Sequence, residues 1–152
     1  MLSPATDFIL GLDGFVFCLV LGRSCFSPSR RILLAMAFGF CDALATLLGA
    51  GFPPHAVWPG LGPCVTAACL TFAFLLPSQA RALAFVFPVP LSLDNFVDAA
   101  NGHVAPLVHA VSIGVLSASL ALAGLYFAAV VAARRNARRR AVTHMVPLQN
   151  AS

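Results

Sequence analysis

Glutamate and lysine are absent from this chain of 152 residues, and charged side chains make up only 9% of it. A soluble domain carries about 25%, so the scarcity of charge excludes an ordinary water-soluble fold. Without glutamate there can be no H-E-x-x-H zinc motif. Neither a G-x-S-x-G nucleophile turn nor a phosphate-binding glycine loop occurs. No catalytic set is recognisable, and the chain is not expected to be an enzyme. Cysteine is sparse and irregular: Cys18, Cys25, Cys41, Cys64 and Cys69 form an odd set with no C-x-x-C pair. Most lie in apolar runs and read as small buried hydrophobes rather than as redox or soft-metal groups. A basic segment ahead of the first apolar run is missing too, and Asp13 interrupts that run, so residues 8–22 read as a span rather than a cleavable signal peptide.

What is present is apolar. Hydrophobic residues make up 60% of the chain, and the mean hydropathy is +0.92. These values predict an all-α, polytopic membrane helix bundle embedded in the lipid bilayer. The apolar runs predict about five transmembrane helices, near 8–22, 32–52, 61–78, 82–100 and 105–133. Residues 1–133 thus form a transmembrane, transporter-like domain, and 134–152 a polar, mobile, basic tail.

The net charge of +4 comes from nine arginines, and their placement argues against nucleic acid. Arg23, Arg30 and Arg31 lie between the first two spans, Arg81 between the third and fourth, and Arg134, Arg135, Arg138, Arg139 and Arg140 after the fifth. The loops around 52–60 and 101–103 carry none. The positive-inside rule then places the N-terminus outside and the C-terminus in the cytoplasm of a cell (inner) membrane protein. The final arginine run is expected to hold this topology and touch anionic lipid headgroups. Trp58 reads as an interfacial anchor, and His55, His103 and His109 as solvated interfacial residues.

Four of the five acidic residues, Asp13, Asp42, Asp94 and Asp98, lie inside apolar stretches; only Asp7 lies near a terminus. An aspartate at mid-bilayer costs about 2.5–3.5 kcal/mol on insertion scales. Such residues face a bundle interior or a watery cavity and mark ion or proton paths. Asp94 and Asp98 are four apart and share a helix face, with Asn95 beside it. Carboxylates with amide and hydroxyl oxygens suit hard divalent cations such as Mg²⁺, Ca²⁺ or Mn²⁺. The structural alternative is polar glue between helices.

The acids also fall on an internal repeat. Leu12-Asp13-Gly14-Phe15-Val16 matches Leu93-Asp94-Asn95-Phe96-Val97, and Phe38-Gly39-x-x-Asp42-Ala43 matches Ile113-Gly114-x-x-Ser117-Ala118. Gly49 and Gly124 follow ten residues after their glycines in both copies. The first span thus pairs with the fourth and the second with the fifth. Three spans separate the partners, so the copies run in opposite directions, as in the inverted repeats of secondary transporters. Asp13 is expected to approach Asp94 across a pseudo-twofold axis. Pro88 and Pro90, just before Asp94, are expected to break the fourth span and leave carbonyls for a cation.

At the stretches Gly11-Leu12-Asp13-Gly14-Phe15-Val16, Phe38-Gly39-Phe40-Cys41-Asp42-Ala43-Leu44 and Leu91-Ser92-Leu93-Asp94-Asn95-Phe96, the chain resembles the manganese efflux pump family of the lysine-exporter-like superfamily. The resemblance covers about 13–49 and 91–124. It implies export of Mn²⁺ from the cytoplasm, no bound cofactor, and Asp13, Asp42 and Asp94 as cation-site acids. The family has six spans and a glutamate where Asp42 stands. The Asp94-Asn95 pair resembles tellurium- and cadmium-resistance relatives. With five spans, a homodimer is the expected way to complete the bundle. The site expected for a divalent metal cation is Asp13, Asp42, Asp94, Asn95 and Asp98. Alternatives are export of cadmium or a cationic amino acid, a non-transporting membrane subunit whose acids pair with a partner's arginines, and a thiol oxidoreductase.

Overall fold

The computed structural model describes residues 12–22, 26–53, 57–75, 81–102 and 106–145. Among these the chain is an all-α bundle. Helix α1 is Leu12–Leu21, α2 is Pro28–Gly49 and α3 is Leu61–Leu75. A turn of 3-10 helix at Arg81–Phe85 leads into α4 (Pro88–Leu91) and α5 (Leu93–Asn101), and α6 is Pro106–Met145. The ends follow from local chemistry. Extended Ser27 precedes Pro28, which starts α2 where its missing N–H costs nothing. Gly51 and Phe52 then turn back onto the carbonyls of Leu48 and Gly49 ahead of Pro53.

Three helical stretches are long and apolar enough to cross a membrane: Pro28–Gly49, Leu83–Asn101 and Leu107–Arg138. Leu12–Leu21 and Leu61–Leu75 are apolar but shorter; the expected extensions of their spans at 8–11 and 76–78 lie outside the described residues. Phe40, Met36, Phe74, Leu75, Leu107 and Val115 are all more than half exposed. Asp42, Thr46, Asn95 and Ser117 are buried. A surface this apolar around a polar interior suits hydrocarbon as solvent rather than water.

Two expectations are corrected. The arginine run begins no separate segment within the described residues: α6 continues unbroken through it to Met145. Alanine and arginine are strong helix formers, and no glycine or proline intervenes before Pro147. The fourth span is indeed broken, but several of its carbonyls are engaged, among them that of Val86, which Pro90 deprives of its usual donor. Val89 N–H donates to Val86 O, Leu91 N–H to Phe87 O, Ser92 N–H to Pro88 O, and the Ser92 hydroxyl to Val89 O. The break falls at Ser92, which closes α4 and opens α5.

The packing follows the repeat. α1 lies on α6 and α5 lies on α2, while α2 and α6 cross at the centre in the most extensive contact of the bundle. The close approaches are reciprocal. A Cβ on Gly39 would stand 2.4 Å from Gly114 O and 2.8 Å from the Ala118 methyl. One on Gly114 would stand 2.7 Å from Gly39 O and 2.9 Å from the Ala43 methyl. Gly49 sits on Phe96 O and the Ala99 methyl, and Gly124 on Phe15 O and the Cys18 Cβ. Each contact is the image of the other under the offsets of the repeat. Small residues allow such backbone-to-backbone approach where lipid supplies no hydrophobic drive for helices to associate.

The apolar core occupies the half of the bundle nearer the arginines. Phe17, Leu34, Phe38, Phe87, Leu91 and Leu125 pack there, with the Phe17 and Phe87 ring centroids 4.6 Å apart. The Arg31 guanidinium lies 5.6 Å from the Tyr126 ring centroid at the same end. The opposite half holds the acids.

Candidate cation site

Asp13 and Asp94 each stand in the first turn of a helix, α1 and α5. Each carboxylate accepts a hydrogen bond from the next backbone N–H: Gly14 N to Asp13 Oδ1 at 2.6 Å and Asn95 N to Asp94 Oδ1 at 2.8 Å. The two halves of the repeat thus present their acids in the same local geometry. Both carboxyls line one cavity of about 390 Å³, with Asp98 one turn further along α5. The charge of Asp94 acts on Asp13, that of Asp98 on Asp94, and that of Asp42 on both Asp13 and Asp94.

The floor of the cavity comes from α3. A Cβ on Gly62 would lie 2.7 Å from Asp94 Cα, so only glycine lets α3 seat against the acid. One turn on, Thr66 lines the same cavity, and its hydroxyl oxygen is buried with no hydrogen-bond partner. Asn101 completes the acid-bearing face of α5, in the register Asp94, Asp98, Asn101.

Asp42 and Asn95 stand off the cavity wall. Asp42 is 6% exposed, and the Ser117 and Asn95 side chains hydrogen-bond its carboxyl. Asp42 and Ser117 are repeat equivalents, so this contact lies on the pseudo-twofold axis, one turn from the Gly39–Gly114 crossing. Asn95 is 2% exposed, and its Oδ1 is buried without a partner. Thr46, one turn beyond Asp42, returns its hydroxyl to the Asp42 carbonyl.

The five expected residues therefore divide. Asp13, Asp94 and Asp98 share a cavity; Asp42 and Asn95 form a buried hydrogen-bonded pair behind it. Sequence reasoning missed Gly62 and Thr66. Their only signal was a small residue and a hydroxyl four apart, and nothing local says which helix that face meets. Among the described residues, no three histidine, cysteine, aspartate or glutamate side chains stand close enough to hold a metal ion directly. Hard divalent cations take about six oxygens and often keep water. A cation here would combine carboxylate oxygens with water in a cavity roomy enough for both. Cys18, Cys41, Cys64 and Cys69 are free thiols, and none lines this cavity. His109 is not on its wall either, and His55 and His103 lie outside the described residues. No protein-family model, curated protein or solved structure matches this chain, so the reading of the site rests on its own geometry and chemistry.

Proposed function

We propose that this protein is a membrane transporter that exports a divalent cation, Mn²⁺ foremost, from the cytoplasm. Asp13, Asp94 and Asp98 form its cation path, with Asp42 and Asn95 positioning α2 and α5 behind it. The N-terminus lies outside and the C-terminus inside, which places every arginine on the cytoplasmic side. One observation carries the reading: two acids 81 residues apart in sequence, equivalent under an inverted repeat, line one cavity in the bundle. Carboxylates cost too much in hydrocarbon to serve as incidental lining. Crowded acids also need a cation or protons to sit together, and that competition is the basis for exchanging one for the other. The resemblance to the manganese efflux pump family supports Mn²⁺ as the cargo.

A second reading keeps the site and changes the cargo. A cavity of about 390 Å³ is far larger than a bare ion and within the range that holds small organic ligands. A cationic amino acid fits that volume, and cadmium fits the carboxylates with water.

The test is growth and cell-associated Mn in a manganese-sensitive host lacking its exporter. Wild type, Asp13→Ala and Asp94→Ala would be compared at matched membrane abundance. Rescue with lowered cellular Mn by wild type alone supports export through these acids. No rescue by correctly inserted wild type sinks manganese. Loss of membrane abundance in the variants would instead favour a structural subunit.

A further inference from the structure

A second cavity, of about 470 Å³, is lined by Val57, Trp58, Pro59 and Asn101. Pro59 and Asn101 also line the acid cavity, so residues 57–60 and the end of α5 form the partition between the two. This boundary lies at the end of the bundle remote from the arginines, and the phenylalanine core packs in the half nearer them.

The partition is held in a particular way. Asn101 Nδ2 donates to Val97 O at 2.9 Å within its own helix and to Val57 O at 3.4 Å, across 44 residues. The second contact sits at the long, weak limit for an N–H donor. Leu61 N–H donates to Trp58 O at 3.1 Å, which turns the segment into α3. The Trp58 indole lies against Gly60, where a Cβ would stand 2.6 Å from the ring. Two residues later Gly62 rests on Asp94. The segment is therefore braced by a ring at one glycine and by the acid at the other, with a long hydrogen bond from the Asn101 amide to Val57 O tying it to α5. Asp94, Asp98 and Asn101 lie on one face of α5, and α5 starts at the break at Ser92. A shift of α5 about that break moves the acids and the amide together.

We propose that residues 57–62 are the outer gate of the acid cavity and that Asn101 is its latch. This rests on reading the cavity as a cation path; the accessibility test below does not require flux. In a variant with all native cysteines replaced, Thr66→Cys places one thiol on the cavity wall. Its reaction with a membrane-impermeant, positively charged methanethiosulfonate added outside intact cells measures how often the partition opens. Adding Asn101→Ala should raise the labelling rate about two- to tenfold, the range set by losing one net hydrogen bond. Trp58→Ala, which removes the brace on Gly60, should raise it as well and decides the matter if Asn101→Ala fails to insert. Unchanged rates in the inserted variants, or labelling only from the cytoplasmic face, would overturn the gate. Faster labelling in a protein that moves no cation would keep the gate and sink the transport reading.

Discussion

At the scale of single residues, the acids separate into two roles with different readouts. Asp13 and Asp94 line the cavity and accept local backbone bonds. On the proposed transport reading, replacing either with alanine is expected to cut cation export at least about tenfold, the cost of one lost charge-assisted contact, with little change in membrane abundance. Asp42 is tied to Ser117 and Asn95 in the buried interior. Asp42→Ala leaves those two groups unpaired and should cost about 1–3 kcal/mol, seen as a lower unfolding temperature in detergent. Equal unfolding temperatures for the Asp42 and Asp94 variants would contradict this division. The buried acids were legible in the sequence because charge in an apolar run is costly wherever it falls. Which acid faces the cavity was not legible. Asp42 carries the same local signature as Asp94, and only the crossing of α2 with α6 turns it onto Ser117. Gly39 shows the same limit: its composition says helix packing, while its partner Gly114 lies 75 residues away. Gly39→Ala and Gly114→Ala should each destabilise by about 1–3 kcal/mol. Together they should cost less than the sum, since both spread one crossing.

Among the elements, the hydropathy pattern located every described helix, while their ends followed other rules. Two prolines predicted a break in the fourth span just before Asp94, and the helix breaks there, at Ser92, with Val86 O and Pro88 O taken by local donors. Propensity, not hydropathy, decides the end of α6. Its arginine segment remains helical to Met145, which adds about 18 Å of rod beyond residue 133 at 1.5 Å per residue. Two spin labels at residues 134 and 145 should stand about 16 Å apart along the axis, at about 1.5 Å per residue; a broad spread of distances would deny the rod. Ala137→Pro should broaden that distance, since proline costs about 3 kcal/mol inside a helix. α3 was foreseen as a span, but its seat on Asp94 through Gly62 was not, because a contact across 32 residues leaves no local trace.

For the whole molecule, the repeat was the most informative pattern in the sequence, and the reciprocal glycine contacts are its geometric form. The cavity nevertheless lies on one side of the pseudo-axis, lined by Val97 and Asn101 but not by their equivalents Val16 and Val20. If the halves exchange shapes during transport, single cysteines at Val97 and Asn101 should label from outside and those at Val16 and Val20 from the cytoplasm. Labelling of all four from one face would exclude that exchange. The contact pattern also governs how the chain is made. α1 meets α2 mainly where Phe38 packs on Gly14 and Phe17; α1 and α5 each find their main surface in the opposite half. A chain emerging from the ribosome inserts α1, α2 and α3 before α6, the main partner of α1 and α2, has been made. Assembly of the first half is therefore expected to be late. Cut between Ser78 and Gln79, the fragments should be degraded when expressed singly and accumulate when expressed together.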